Sequence, residues 1–584
     1  KGILFLLLAG LCIPSAAQKR LAVEAEHFRI EWQEKSDGYR ISTVSTNSAS
    51  GRISLENPSG SYGFLYSATK PDTVSLYETM PDYVRKFPGR EYTLLYGRWR
   101  DNLRPVAMNT AGELVRFYPA SAMQKGDSII FTRKTRQGTL QAVWRPSKQF
   151  GSDIEVTMTL RAAVDGYFSL ITPTLATLSE KEMAWGVIPG HFQGRKLEPN
   201  FVWSYGYGQG IPDRPVVVRE RTATTLCPTL TDRQGLSFAV IPEPGQGRDP
   251  WTYDHSTQNE WRLGFSLMNR DRELTPSAYH PVLGQEDSYM RKGEIRTFRF
   301  RYTVQQGDWY ALCSHAARDI YRFGDFLALK EPRQSLTDRI LRMAEYLEKD
   351  STSLWRTFDY RGDTIGAQEY NATVFEYERD AVKNSDYGAM WMLARITGND
   401  TLRRTRLPYA RNFKIHQQVS GGPLSGAAAG QYYLWKSGRY TEEWGDYAEP
   451  IGTVYYIMLD IGNMLLFNPG DAELREDLRR GAERLLAWQY PDGHWEVAYD
   501  KATGKPVFRD LRDLRPTFYG LLVAYRLLGD ERYLDAACRG ADWFVANAVD
   551  EGSFLGVCGA FRFVPDFVIA QSAQALLDLY ETTG

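Results

Sequence analysis

Cysteine is scarce in this sequence. There are 5 among 584 residues and none forms a Cys-x-x-Cys pair, so neither a disulfide framework nor a cysteine-built zinc site is expected. Histidine is nearly as rare: the 7 His are scattered, without a His-x-x-x-His pair or a His/Cys cluster, which argues against catalytic zinc and leaves no metal to assign. A surplus of one charge is also missing. The 70 Lys plus Arg face 71 Asp plus Glu, a net charge of −1, whereas a nucleic-acid binder needs a basic face. Beyond the N-terminus no apolar run approaches the ~18 to 20 residues of a membrane span. A Walker loop, a G-x-S-x-G element and a dinucleotide fingerprint are all absent, so no cofactor is expected. What is plentiful is aromatic: 35 Tyr and 15 Trp, rings with an apolar face and a polar tip that suit stacking on sugars. The composition, 43% hydrophobic and 24% charged, is that of a folded chain, and its length calls for two domains or more.

The first residues read as an address. Lys1 precedes an apolar run from Ile3 to Ile13, followed by Pro14-Ser15-Ala16-Ala17-Gln18. This is the pattern of a secretory signal cut between Ala17 and Gln18, which predicts a secreted or periplasmic protein. Cys12 follows Leu11, where a lipoprotein signal wants a small residue, so lipidation is not expected. Cleavage leaves Cys227, Cys313, Cys538 and Cys558, read mostly as buried free thiols.

A change of period then divides the chain. Across 18–306 the pattern alternates: Ile154, Val156, Met158 and Leu160; Trp261, Leu263, Phe265 and Leu267; Phe298, Phe300, Tyr302 and Val304. Period-two alternation predicts antiparallel strands with one face on a core, here a large β-sandwich with Asp37-Gly38 and Asp165-Gly166 as hairpin turns. A linker, 307–334, carries a helix near 309–323. From 335 to 584 the period is helical. Ser335 and Asp338 form a capping-box start, with Leu336, Ile340, Ala344 and Leu347 on one face. Helices follow near 378–397, 401–418, 450–467, 471–489, 516–528, 531–548 and 566–582.

Within this half, Gly398, Gly470, Gly529 and Gly584 punctuate helix ends at spacings of 72, 59 and 55 residues, with Asp starting the next helix at Asp471 and near Asp530. Repeated helical hairpins predict an all-α, α/α toroid domain. Its turns are short at one end, while the connections at 351–374, 419–449, 490–515 and 549–565 are long. In such a toroid these long connections share one face, and long loops in compact domains carry function.

That face collects carboxylates and aromatics. Glu442, Glu443, Trp444, Asp446 and Glu449 precede Pro450, which fits a helix's first turn. Their ordinary use is capping and dipole compensation; four acids among aromatics also suit acid–base chemistry. Asp359, Asp363, Glu369, Glu376 and Asp380 sit in the preceding long segment, with Glu376, Arg379 and Asp380 equally readable as an ion-pair set. The third connection holds His494 and Trp495, the latter read as a sugar platform, and ends at Arg515 and Tyr519. Arg515 either grips a substrate carboxylate bidentately or pairs with Asp510 or Asp513. The Gly-rich Tyr205–Gly210 segment reads as a loop that packs or reaches towards the toroid mouth. Asn371-Ala372-Thr373 matches the unspecific glycosylation sequon.

The stretch Trp488-Gln489-Tyr490-Pro491-Asp492-Gly493-His494-Trp495, with the Gly-Asp turns, resembles unsaturated glucuronyl hydrolases and their toroid relatives. The whole layout is similar to secreted Bacteroidetes β-glucuronidases of glycoside hydrolase family 154. That resemblance implies an exo-acting glycoside hydrolase on a uronate-bearing oligo- or polysaccharide. The resemblance carries over no catalytic residues; the acid cluster itself offers Glu443 as acid beside Asp446 or Glu449, with Glu376 or Glu369 as the opposing base. Trp444 and Trp495 would stack on sugar, and Arg515 would read the uronate. A polysaccharide lyase is the alternative, with His494 or Tyr519 abstracting the C5 proton and Arg515 neutralising the carboxylate. A non-catalytic glycan-binding protein is the third reading. The oligomeric state stays open, a homo-oligomer included. The last helix ends at Gly584 without the outer helix that follows earlier copies, so a C-terminally truncated toroid with further chain is expected.

Overall fold

The computed structural model describes residues 20–71, 108–199, 204, 210–248, 261–285, 287–330, 333–370, 380–383, 387–442, 447–508, 512–556 and 567–584. The expected signal segment, Tyr205–Gln209, the Asn371 sequon, Cys558, and candidates Glu376, Glu443, Trp444 and Asp446 lie outside the described residues.

Alternation makes strands where the pattern predicts them. Strand Asp153–Ala162 buries Ile154, Val156, Met158 and Leu160 on one face. It lies between Gly138–Pro146 and Ile295–Gln306 in a nine-stranded antiparallel sheet. A seven-stranded sheet built on Pro58–Ser67, Gly166–Ala176 and Leu274–His280 faces it. The Trp144 indole N–H of the first sheet donates to the Tyr62 hydroxyl of the second at 2.7 Å. A four-stranded sheet from Arg20 to Ser54 adds Trp32, whose ring lies 5.2 Å from those of Trp144 and Phe131. Stacked antiparallel sheets with an aromatic core are the sandwich expected of this region.

Two local readings change. Asp37-Gly38 does close a hairpin, with Lys35 opposite Gly38. Asp165-Gly166 does not: the strand before it belongs to the nine-stranded sheet and the strand after it to the seven-stranded one. It is a corner between layers. Strand Gly264–Met268 is buried on both faces, so its alternation marks two packing environments rather than core and solvent.

The linker helix Trp309–His315, capped by the Asp308 side chain, docks on the sandwich. Leu312, Ala316 and Ile320 join Cys227, Ala239 and Ile241 in one apolar cluster, where the Cys227 thiol donates to the Leu312 carbonyl at 3.8 Å. Cys227, Cys313 and Cys538 are free thiols as expected, but only Cys227 is buried and the other two are half-buried. Helix Leu336–Glu348 starts with the predicted Ser335/Asp338 capping box. Of its expected buried face only Ala344 is buried, and Leu336 is 77% exposed.

Helices Tyr387–Thr397, Pro450–Phe467 and Phe518–Leu528 then pack side by side. Each reaches a short turn and a return helix: Leu407–Gln417, Ala472–Trp488 and Glu531–Phe544. Gly398 and Gly529 take the left-handed conformation at two of these turns, and Asp471 and Asp530 cap the next helices with their side chains. The repeat was therefore legible; a closed toroid is not seen among the described residues. The 18-residue Pro450–Phe467 helix departs from the expectation about apolar runs, because it is long and apolar enough to cross a membrane. It is 72% buried inside the fold and carries Asp460 paired with buried Lys414 at 2.6 Å, as a core helix does. The expected helix at 378–397 begins instead as strand Ala381–Lys383. Leu577 and Tyr580 of the final helix, Phe567–Thr583, are exposed.

Candidate active site

The long connections are not loose loops. Strands Trp355–Tyr360 and Asp363–Glu369 of the first join Ala381–Lys383, which follows it, and Tyr432–Leu434 and Arg439–Thr441 of the second in a five-stranded sheet. The second is tied to the third by Tyr447–Ala448 pairing with Ala498–Asp500. The third is tied to the fourth where Leu555 N–H donates to the Leu514 carbonyl at 3.1 Å. All four meet on one face, as the asymmetry of loop lengths predicts. The sandwich reaches the same face: Gly210 N–H donates to the Ser553 hydroxyl at 3.3 Å, and Arg195 donates to the Asp550 carbonyl at 3.1 Å. The end of the Gly-rich segment thus does extend to the helical part.

Where the second and third connections meet, three charged side chains are buried together. Glu449 follows strand Tyr447–Ala448 as the N-cap residue of the Pro450 helix, and Asp513 and Arg515 precede the Phe518 helix. Arg515 Nη1 donates to Glu449 Oε2 at 2.6 Å, Nε donates to Asp513 Oδ1, and Nη2 donates to the Val497 carbonyl at 2.9 Å. Thr517 donates to the second Asp513 oxygen at 3.1 Å. The side chains of Arg515, Asp513 and Glu449 are 0%, 1% and 5% exposed. Glu449 Oε1 has no hydrogen-bond partner among the described residues. Of the two readings of Arg515, the pair with Asp513 is the one formed, and its charge is also spent on Glu449.

Two carboxylates share one guanidinium away from water, and Arg515 does not release its proton. Burial pushes the Glu449 carboxyl up to about 7, opposed by Arg515 and reinforced by Asp513. Asp513 is raised by burial as well. A carboxyl that holds a proton near neutrality is what general-acid chemistry needs.

The sign of the resulting pH dependence is fixed. Because Glu449 ionises at a higher pH when folded than its ordinary value of 4.5, its contribution to stability is complete below about pH 4.5 and is lost as the pH rises through about 7. Urea unfolding of wild type and Glu449→Gln is expected to show wild type losing stability relative to the variant between pH 5 and pH 8. Parallel curves would remove the shift.

The motif from Trp488 to Trp495 is a clip rather than a sugar platform. Trp495 is 4% exposed and its indole N–H donates to the Leu485 carbonyl at 2.9 Å. A Cβ on Gly540 would come within 2.7 Å of its ring. Gln489 donates to the carbonyls of Gly493 and Ala536, tying the turn to helix Glu531–Phe544. Gly493 has φ +102°, and a Cβ there would meet the Arg539 carbonyl at 2.3 Å. The ring is buried because it fills the gap between two helices, so the reading of Trp495 as an exposed stacking surface is corrected. Trp495→Ala is expected to cost about 3–5 kcal/mol of stability, measured by chemical denaturation, with glycan affinity of the folded fraction unchanged.

The other candidates are scattered among structural partners. Glu369 ends strand Asp363–Glu369 and pairs with Arg356 at 3.3 Å; no contact joins it to Glu449 among the described residues. His494 is half-buried, stacked on Tyr490 at 4.3 Å and bonded to Asp492 at 2.5 Å. The Tyr519 hydroxyl donates to Asp578 at 2.5 Å, which with burial raises the phenol well above its ordinary value. Asp380, readable in the sequence as half of a surface ion-pair set, is 1% exposed. Its Oδ2 accepts the Lys436 N–H at 2.6 Å, while Oδ1 has no partner among the described residues. Nothing in the sequence distinguished it from its acidic neighbours; only the strand pairing that buries it does. No group of three or more His, Cys, Asp or Glu side chains placed to hold a metal occurs among the described residues.

No protein-family model and no curated protein matches this chain. Among solved structures it is similar to a polysaccharide lyase at 9% identity and TM-score 0.32, over 90% of this chain and 70% of that one. It is also similar to a GalM/aldose epimerase homologue from C. elegans at 7% identity and TM-score 0.26, over 50% of this chain and 100% of that one. A heparan sulfate lyase HepC mutant from Pedobacter heparinus aligns at 11% identity and TM-score 0.20, over 49% of this chain and 37% of that one. Likenesses of this looseness do not assign the chain to a family.

Proposed function

We propose that this chain is a carbohydrate-active enzyme, an exo-acting glycoside hydrolase on uronate-bearing glycans, with Glu449 as its proton donor. The observation that carries the reading is the buried Glu449 carboxyl, raised to about 7, with one oxygen unpartnered among the described residues, on the face where the four long connections meet. In the reaction the protonated Glu449 donates to the glycosidic oxygen, and an ionised carboxylate activates water or attacks the anomeric carbon. Glu443, Asp446 and Glu376 remain candidates for either.

Hydrolysis is favoured over elimination by where the lyase candidates sit. Arg515 is already engaged by two carboxylates, and Tyr519 is a phenol whose proton is held towards Asp578. His494, the other candidate base, is stacked on Tyr490 and bonded to Asp492, so none of these arrangements supplies a free cation for a substrate carboxylate or an unengaged base for a C5 proton. The test is to incubate the protein with glucuronic-acid-bearing oligosaccharides and follow both reducing sugar and ultraviolet absorbance. Sugar release without an absorbing product is expected; an unsaturated uronate would reassign the enzyme as a lyase. The leader from Lys1 to Ala17 supports export, and sequencing of the mature N-terminus is expected to begin at Gln18.

A further inference from the structure

We infer that the chain carries a second saccharide site, at the end of the helical part opposite the long connections, built for an acidic sugar. A cavity of about 580 Å³ opens between helices Tyr387–Thr397 and Leu407–Gln417 and the turn after Phe467, inside the ~300–1,000 Å³ range of small-molecule sites. It lies on the short-turn side, beside Asn468 and Asp471, and none of the candidate active-site residues lines it.

Its chemistry is that of an anion held against a ring. Trp391 and Phe467 form one wall, their rings parallel to within 12° and 6.3 Å apart. Three arginines line the space, and they are not equivalent. Arg411 is committed to the protein: it grips both Asp471 oxygens at 2.6 and 2.7 Å and Glu473 at 2.8 Å. Arg395 and Arg403 have no ion pair and no side-chain hydrogen bond among the described residues. Both are solvent-exposed, so two guanidiniums without a protein counter-charge among the described residues stand beside an apolar ring surface. A guanidinium pairs bidentately with a carboxylate or sulfate, and flat aromatic rings take the C–H face of a pyranose. A neutral sugar would leave both charges unanswered, and a simple inorganic anion would leave the ring wall unused. The choice of a sugar rests on the proposed function; the anionic character rests on the arginines alone.

The experiment is calorimetric titration of full-length Glu449→Gln, which keeps the substrate intact, with a glucuronic-acid disaccharide, glucose 6-sulfate, cellobiose and sodium sulfate. Two binding events are expected for the glucuronic-acid disaccharide. Replacing Arg395 and Arg403 together by Ala is expected to remove one event, with affinity there falling at least tenfold. Arg404→Ala, which removes an equal charge from a neighbour paired with Asp400 at 3.7 Å, is expected to keep both. If the chain does not act on uronates, the double substitution would instead take one event to none, so the two readings fail separately. Glucose 6-sulfate binding at the arginine-dependent site would identify the anion as sulfate as readily as carboxylate and supports the same assignment. Equal binding by cellobiose or by sulfate alone, stoichiometry indifferent to the two arginines, or no binding by any acidic sugar would overturn it. Indifference would leave Arg395 as nothing more than a cation in the last turn of its helix.

Discussion

Glu449→Gln is expected to lower turnover of a uronate-bearing glycan by about 10²–10⁴-fold while leaving the protein folded. The magnitude is that of losing a positioned general acid. The fold survives because a Gln side chain is nearly isosteric and its carbonyl oxygen still accepts from Arg515 Nη1, which now lies 2.6 Å from Glu449 Oε2. The pH profile adds a readout that a structural role would not move. The basic limb of activity is expected near the pH at which Glu449 loses its proton, about 7, and in the variant that limb disappears. Wild-type turnover in the variant would shift the acid role to Glu443 or Asp446 in the adjoining segment.

Arg515→Met is expected to cost about 3–5 kcal/mol of stability, because it strands two buried carboxylates that the guanidinium now serves. The Val497 carbonyl loses its donor as well. Removing the cation raises both carboxyls further, so protonation repairs part of the damage at low pH. The loss is therefore expected to be larger at pH 8 than at pH 5, and Arg515→Met combined with Glu449→Gln is expected to recover part of it. Urea denaturation at the two pH values measures both. A loss below 1 kcal/mol at pH 8 would mean that the triad is hydrated and not the closed unit its burial implies.

The two substitutions separate what the triad does. Arg515 orients Glu449 and opposes the rise in its proton affinity, whereas the Glu449 oxygen with no partner among the described residues is the one proposed to meet a ligand. Asp513 does not need to touch substrate to matter, since its negative charge is one reason the Glu449 proton stays on near neutrality.

Much of the architecture could be read along the chain because its causes are local. Alternation at Ile154–Leu160 and Phe298–Val304 is a property of neighbouring residues, and so are the Ser335/Asp338 cap, the glycines at 398 and 529, and the apolar run after Pro450. The pairing of strands was not legible, because it joins segments far apart in sequence. For that reason Asp165-Gly166 reads as a hairpin but turns a corner between sheets, and the first three long connections read as loops but contribute strands to sheets. Trp495 was misjudged for the same reason. A Trp beside Gly signals exposure only until Leu485 and Gly540, brought in by two other helices, close over it.

For the candidate site the division is sharper. The sequence alone determined which residue types gather before Pro450 and before Pro516, and the repeat of helices and turns determined that both stretches lie on one face. Only the tertiary structure decided that Arg515 answers Glu449 and Asp513 instead of a substrate, and that Asp380 is buried. Proton affinity in a buried carboxyl depends on the water it has lost and the charges around it, here supplied by a residue 66 positions away. Neither quantity is carried by any single stretch of chain.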